Sequence, residues 1–125
     1  MIVGTGIDIT EVGRIAAAIQ RHGERFLNRV FTPAEIRYCE SKRNKNERYA
    51  ARFAAKEAAL KAIGTGWRQG VAWKEIEVRR EPGGRPTVHF TGKVQQHAQR
   101  LGAKRASLSL THTEATAMAQ VILED

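Results

Sequence analysis

The sequence contains few of the residues that build disulfide frameworks, stacking surfaces or membrane spans. It has one cysteine, Cys39, which excludes an internal disulfide and a cysteine-rich metal site. Aromatic residues make up only 6% of the chain, too few for an interleaved surface that stacks nucleobases. No apolar run approaches the roughly 18 residues of a membrane span, and no basic segment followed by an apolar one opens the chain. These absences predict a cytoplasmic protein with no membrane segment.

The main feature of the composition is an excess of positive charge. Lysine and arginine total 21 against 13 acidic residues, which gives a net charge of +8. A basic balance indicates an anionic partner, such as nucleic acid, a phosphorylated cofactor or an acidic protein. The length of 125 residues and the hydrophobic fraction of 42% predict one globular domain that covers residues 1–125.

The first half of the chain is predicted to form one strand followed by several helices. Apolar residues at positions 2, 3, 7 and 9 predict an N-terminal strand interrupted by glycines, and Thr10 is predicted to cap the helix that follows it. Thr32, Pro33 and Glu35 form a capping box with proline at the first helical position. A long helix is predicted from about residue 47 to 63, with Gly64 as its C-cap.

The second half of the chain is typical of strands. Residues 73–80 and 87–90 are predicted as strands around a Pro/Gly turn, followed by a helix that ends at Gly102. Residues 107–111 and 116–123 alternate in polarity and predict a hairpin whose loop holds His112. Helices at the front and strands at the back predict an α+β fold with a mainly antiparallel sheet.

Two carboxylates occupy unexpected positions. Glu57 lies between Phe53 and Leu60, on or beside the apolar stripe of the long helix. Asp8 lies in the first strand, on the face opposite its isoleucine neighbours. Asp8 could simply face water or the next helix start, and Glu57 could pair with Lys61. If the two acids meet, a cation between them is favoured because two carboxylates in one site repel. Mg²⁺ often takes one or two carboxylates and completes its shell with water and phosphate oxygens.

Basic residues near these acids suit a phosphate-bearing substrate. Lys61 follows Glu57 by one helical turn, and the segment 42–45 before the helix is basic. The candidate phosphate ligands are Arg43, Lys45, Arg52, Lys56 and Lys61. Gly64 is a further candidate contact for the cofactor. It begins a Gly-Thr-Gly segment that follows a helix and therefore lacks the helix N-terminus of a phosphate-binding loop.

Three segments together resemble one enzyme family. They are GTGIDITEVGRI (4–15), RFAAKEAALKAIGTG (52–66) and SLTHTEATAMAQVI (109–122), and they occur in the family's order across essentially the whole chain. The sequence is thereby identified as similar to the holo-[acyl-carrier-protein] synthases, the small bacterial class of 4′-phosphopantetheinyl transferases. The resemblance implies their fold, a homotrimer, and coenzyme A bound in clefts between neighbouring subunits.

The resemblance also implies a reaction and a set of site residues. Members of the family transfer the 4′-phosphopantetheine arm of coenzyme A to a serine of apo-acyl carrier protein, in support of fatty acid biosynthesis, and release adenosine 3′,5′-bisphosphate. The resemblance implies that Asp8 and Glu57 bind Mg²⁺, and that these acids and Lys61 are catalytic. It places His112 near the nucleotide end of coenzyme A, and Pro86 is expected to border the adenine pocket.

The first helix is predicted to bind the carrier protein. Arg14, Arg21 and Arg25 are spaced to fall on one face if the helix persists beyond Gly23, and Phe26 follows as an apolar anchor. Acyl carrier proteins are acidic, so such a face would attract them. The alternative is a solvated basic face with no partner.

A second class of function fits the net charge alone. A basic nucleic-acid-binding module is the alternative. The sequence, however, has neither stacking aromatics nor a recognisable nucleic-acid-binding motif, and this alternative leaves Glu57 unexplained.

Overall fold

The computed structural model describes residues 1–66 and 70–125, which form five strands and five α-helices. The strands are β1 (Ile2–Glu11), β2 (Ile76–Arg80), β3 (Pro86–Phe90), β4 (Arg105–His112) and β5 (Thr116–Glu124). The helices are α1 (Val12–His22), α2 (Glu24–Val30), α3 (Pro33–Glu40), α4 (Lys45–Ile63) and α5 (Gly92–Leu101). No helix in these two segments is long and apolar enough to cross a bilayer.

The strands form two antiparallel sheets. One sheet has the order β1–β5–β4, and the other is the β2–β3 hairpin. The chain therefore has the mixed helix and antiparallel-sheet character that the sequence predicts. The hairpin near the C-terminus is confirmed, but His112 is the last residue of β4, paired with Ala117, and not a loop residue. Residues Trp73–Glu75, predicted as strand, form a 3₁₀ turn.

Helix α4 lies at the centre of the molecule. Between Tyr49 and Ile63 every residue is buried except Glu57 and Lys61. Many of these residues are alanines, and their small side chains let the other elements pack closely around the helix on several sides. One core cluster joins the second half of α4 to β2, β3, β5 and α5, and the other joins its first half to α1, α2 and α3.

Two glycines bring β1 against α4. A Cβ on Gly6 would collide with the carbonyl oxygen of Ala58, and one on Gly4 would collide with that of Ala62. The glycines do not interrupt the strand, as the sequence suggested, because β1 runs on through them. Their role is to allow a strand and a helix to approach more closely than side chains permit.

The helix ends follow local chemistry, with one wrong prediction. The capping box is present, since the Thr32 N–H donates to Glu35 Oε1 at 2.9 Å and the Glu35 N–H donates to Thr32 Oγ1 at 3.3 Å. Gly64, with φ 90°, ends α4 as predicted. Thr10 does not cap α1, because the strand extends through Glu11 and the Thr10 hydroxyl donates to a neighbouring carboxylate instead.

Candidate active site

Asp8 faces the interior of the molecule. Its side chain is 14% exposed, whereas its neighbours Ile7 and Ile9 are 54% and 63% exposed. The alternative in which Asp8 faces water is therefore wrong, and the isoleucines face outward. Asp8 Oδ1 lies 3.0 Å from the Lys61 ammonium, and Asp8 Oδ2 accepts a 2.8 Å hydrogen bond from the Thr10 hydroxyl. Strand β1 thus presents an oriented carboxylate to helix α4.

Glu57 and Lys61 are the two solvent-accessible residues in an otherwise buried stretch of α4. The sequence allowed Lys61 to pair within the helix, but its ammonium reaches across to β1, where it donates to the Ile7 carbonyl and to Asp8, each at 3.0 Å. Glu57 lies one turn before Lys61, on the same side of the helix. The fold therefore brings one carboxylate from β1 and one from α4 to the same partly exposed place.

This donor set fits a hard divalent cation. The described residues contain no group of three or more His, Cys, Asp or Glu placed to hold a metal. Mg²⁺ does not need such a group, since it often binds one or two carboxylates together with water and substrate phosphates. Asp8 and Glu57 are the residues that would hold it, where Gly6 allows β1 and α4 to pack closely.

A second group of predicted site residues lies on the other side of α4. Arg52 and His112, both predicted to contact the cofactor, line one cavity of about 250 Å³. His112 Nδ1 lies 2.8 Å from Glu47 Oε1, which fixes the orientation of the imidazole ring. The cavity is also lined by two arginines that the sequence analysis did not select, Arg48 and Arg80.

The two groups face in opposite directions within one subunit. Arg52 and Lys61 are nine residues apart, which corresponds to about 13 Å along the helix axis and about half a turn around it. On the sheet, Asp8 and His112 are also apart, because Asp8 is on β1 and His112 is on β4, the two outer strands that β5 separates. One subunit therefore does not gather all of the predicted cofactor residues around a single cavity.

Lys56 is a core residue, so its predicted contact with the cofactor is wrong in this structure. Its side chain is completely buried, and its ammonium lies 2.8 Å from Glu35 Oε1, whose side chain is equally buried. The ammonium also donates to the carbonyls of Trp73 and Ile76. With three oxygen partners inside the protein, Lys56 has no access to a phosphate group.

The remaining predicted cofactor residues lie at separate places on the surface. Arg43 and Lys45 line a cavity of about 360 Å³ at the start of α4, where Lys45 also pairs with Glu40 at 3.3 Å. Pro86 lines a cleft of about 540 Å³ between β3 and β4. Gly64 is exposed at the end of α4, where its conformation is that of a helix cap.

The predicted carrier-protein face is divided between two helices. Gly23, with φ 53°, ends α1, so Arg14 and Arg21 lie on α1 while Arg25 and Phe26 lie on α2. The three arginines are exposed. Phe26 is partly buried and packs edge-on against a core ring, with 6.2 Å between the ring centroids.

The chain belongs to the 4′-phosphopantetheinyl transferase superfamily, which matches residues 4–119. This result confirms the resemblance that the three sequence segments indicated. Among curated proteins, the chain is 69% identical to the holo-[acyl-carrier-protein] synthase of Koribacter versatilis, over the full length of both chains.

Solved structures agree with this assignment and confirm the predicted fold class. A holo-[acyl-carrier-protein] synthase from Neisseria meningitidis is 34% identical, with a TM-score of 0.90 over the whole of both chains. One from Bacillus anthracis, in complex with CoA (3′,5′-ADP), is 35% identical with a TM-score of 0.82, covering 100% of this chain and 98% of that one. These matches give no support to the alternative of a nucleic-acid-binding module.

Proposed function

We propose that this protein transfers the 4′-phosphopantetheine arm of coenzyme A to a serine of apo-acyl carrier protein. The observation that carries the proposal is the contact between Lys61 and Asp8 beside Glu57, in a chain that belongs to the transferase superfamily. In this reaction the serine oxygen attacks one phosphorus of the pyrophosphate. The bond to the bridging oxygen breaks, and adenosine 3′,5′-bisphosphate leaves with the electron pair.

Each residue of the site has a distinct task in that step. The Lys61 ammonium is positioned by Asp8 and the Ile7 carbonyl, and it stabilises negative charge on the departing phosphate oxygen. Glu57 accepts the proton from the attacking serine. Mg²⁺ bound by Asp8 and Glu57 would supply further electrostatic stabilisation of the pyrophosphate.

A homotrimer with coenzyme A between subunits accounts for the two separated groups. The Asp8, Glu57 and Lys61 side of one subunit would meet the Arg52 and His112 side of its neighbour. Support comes from the outer face of the β1–β5–β4 sheet, where apolar side chains are solvent-accessible: Ile7, Ile9, Met118 and Ile122. A second copy of the chain would cover this face, because contiguous exposed apolar surface is typical of interfaces.

The other contacts follow from this arrangement. Arg43, Lys45, Gly64 and Pro86 are assigned to the cofactor, and the arginines of α1 and α2 with Phe26 to the acidic carrier protein. The enzyme would act in fatty acid biosynthesis in the cytoplasm, as one domain that spans residues 1–125. No nucleic acid or membrane takes part in this scheme.

The decisive experiment is incubation with coenzyme A, Mg²⁺ and apo-acyl carrier protein, followed by mass spectrometry of the carrier protein. The expected result is a mass gain of one phosphopantetheine arm, and omission of Mg²⁺ with a chelator present should prevent it. A carrier protein whose mass stays unchanged in the complete mixture would refute the proposed function.

A further inference from the structure

Three arginines converge on a single tyrosine outside the predicted metal site. The Tyr38 hydroxyl oxygen accepts hydrogen bonds from Arg80 Nε at 3.0 Å and from Arg48 Nη1 at 3.3 Å. The guanidinium carbon of Arg52 lies 4.1 Å from the centroid of the Tyr38 ring. All three arginines line the 250 Å³ cavity that also contains His112, whereas Tyr38 is not in its lining and lies behind them.

The arginines keep their positive charge uncompensated. Across residues 1–66 and 70–125, none of the three guanidinium groups forms an ion pair with a carboxylate, and the buried Arg52 Nε has no hydrogen-bond acceptor. Like charges at such separations repel one another. A carboxylate at position 38 would hold them together but would also cancel part of the charge. A phenol orients them with a neutral oxygen and an aromatic face, and leaves the full charge directed at a ligand.

The electrostatics of Tyr38 agree with this geometry. Burial would raise the pKa of the phenol, but the positive charges of Arg48, Arg80 and Arg52 outweigh it and lower the pKa. The lowered pKa of Tyr38 agrees with a positive local potential, which favours an anionic ligand.

We infer that Tyr38 is a positioning residue that holds Arg48, Arg52 and Arg80 as a preformed cage for a phosphate group of coenzyme A. The identity of the ligand rests on the proposed function, whereas the cage itself rests on the contacts above. Guanidinium groups suit phosphate oxygens because their donors lie in a planar fork. Holding them in place before binding reduces the ordering cost that the ligand would otherwise meet.

The first test removes only the phenolic oxygen. In Tyr38→Phe the ring beneath Arg52 remains, but Arg48 and Arg80 lose the acceptor that they share. Among the described residues, the Arg48 side chain then keeps only Asn44 Oδ1 and that of Arg80 keeps only the Gly84 carbonyl, so we expect the KM for coenzyme A to rise about five- to tenfold. The kcat and the KM for the carrier protein should stay within about twofold of the wild-type values. The melting temperature should stay within a few degrees. Tyr49→Phe, which removes the hydroxyl bound to Glu40 at 2.7 Å, is the matched control and should leave the KM for coenzyme A unchanged.

A second pair of variants does not depend on the packing of Tyr38. Arg80→Ala removes one guanidinium of the cage, while Arg79→Ala removes its neighbour, which pairs with Glu77 at 2.7 Å. Both lose one positive charge from the same strand, so only the cage predicts that Arg80→Ala is the more damaging, again by about five- to tenfold in the KM for coenzyme A. Equal effects of the two substitutions would indicate a general charge effect and would overturn the cage.

Calorimetric titration with adenosine 3′,5′-bisphosphate separates this inference from the proposed function, because it requires no turnover. Weaker binding by Tyr38→Phe in a protein that transfers no phosphopantetheine would support the cage and refute the function. Normal transfer with equal affinity in wild type and Tyr38→Phe would refute the cage alone. A wild-type protein that does not bind the bisphosphate would also overturn the cage.

Discussion

Two of the lysines of helix α4 lie five residues apart, and each donates to a carboxylate from another element. Lys56 and Glu35 are 2.8 Å apart with both side chains fully buried. Lys61 and Asp8 are 3.0 Å apart, but Lys61 is 54% exposed and Asp8 is 14% exposed. The two pairs have the same chemistry and nearly the same length, and their largest difference is their access to solvent.

The buried pair has no capacity for another partner. Glu35 also caps α3 and accepts a 2.7 Å hydrogen bond from the Val78 N–H, so the pair links α3, α4 and β2. Burial lowers the pKa of Lys56, and the charge of Glu35 opposes that effect. In the exposed pair, water or a phosphate can replace one partner at little cost. Solvent access therefore separates a lysine that stabilises the fold from one that can act on a substrate.

The largest expected effect is the loss of transfer when the exposed site loses a carboxylate. Asp8→Ala and Glu57→Ala should each reduce the transfer rate by about 10²–10³-fold or more, because each removes charge that is aimed at the reacting groups. Neither substitution removes a core side chain, so the melting temperature should stay within a few degrees. Rates come from the mass-spectrometric assay at saturating Mg²⁺, and near-normal turnover by either variant would defeat the site assignment.

The second prediction breaks the buried pair. Lys56→Met leaves the Glu35 carboxylate without its charge partner, which should cost about 3–5 kcal/mol of unfolding free energy. Lys61→Met is the matched control, for which we expect a stability loss of at most about 1 kcal/mol, because the pair is exposed, together with a large loss of activity.

Urea unfolding followed by circular dichroism measures both variants. The double variant Lys56→Met/Glu35→Gln keeps an amide that can cap α3 but removes the buried charge, so it should recover part of the stability. Comparable stability losses in Lys56→Met and Lys61→Met would show that burial does not distinguish the two pairs.

The third prediction concerns two groups of residues on opposite sides of α4. In an equal mixture of Glu57→Ala and His112→Ala chains, assembled together, a site shared between neighbours has both native residues in about a quarter of cases. Activity should therefore rise from near background to about a quarter of the wild-type value. The comparison is with each variant assembled alone. A mixture no more active than the average of the two would place both residues in one subunit's site.

Much of the fold could be predicted because its signals are local. The capping box at Thr32 and Glu35 and the glycine after α4 depend on neighbouring residues alone. The wrong prediction at Thr10 also rested on a local signal. A good capping residue precedes the helix, but the strand continues past it to pair with β5. Gly4 and Gly6 were interpreted as a break in the strand, because the local sequence does not show that a helix packs against that face. That contact belongs to the tertiary structure.

The site was predictable where residues lie on one element and less so where tertiary contacts decide. Glu57 and Lys61 share a helical face. Asp8 was selected from its place in the first strand, and the family resemblance then assigned it to the metal. Lys56 has the sequence context of a surface lysine next to Glu57, and only the position of Glu35 on α3 reveals that it is buried. Arg48 lies one turn before Arg52 and could have been found from that spacing. Arg80 has no such signal, since Tyr38 brings it to the cage from another element.

The smallest expected effect tests exposed charges that take no part in the fold. Arg14 and Arg21 lie seven residues apart on α1 and therefore share a face. Replacing both with glutamate changes attraction to repulsion toward an acidic carrier protein, and should weaken its binding about tenfold. The effect should shrink as salt is raised, because the Debye length is about 10 Å at 0.1 M and shorter above it.

The affinity for coenzyme A should hardly change in this variant, because the basic residues assigned to coenzyme A lie on α4 and around the cage. Calorimetric titrations with each ligand, on wild type and the double variant, make the comparison at two salt concentrations. Arg100→Glu on α5, an exposed arginine outside the proposed docking face, is the control for a general loss of positive charge. If the carrier protein binds the double variant as tightly as wild type, or both ligands weaken equally, the arginines of α1 form only a solvated face.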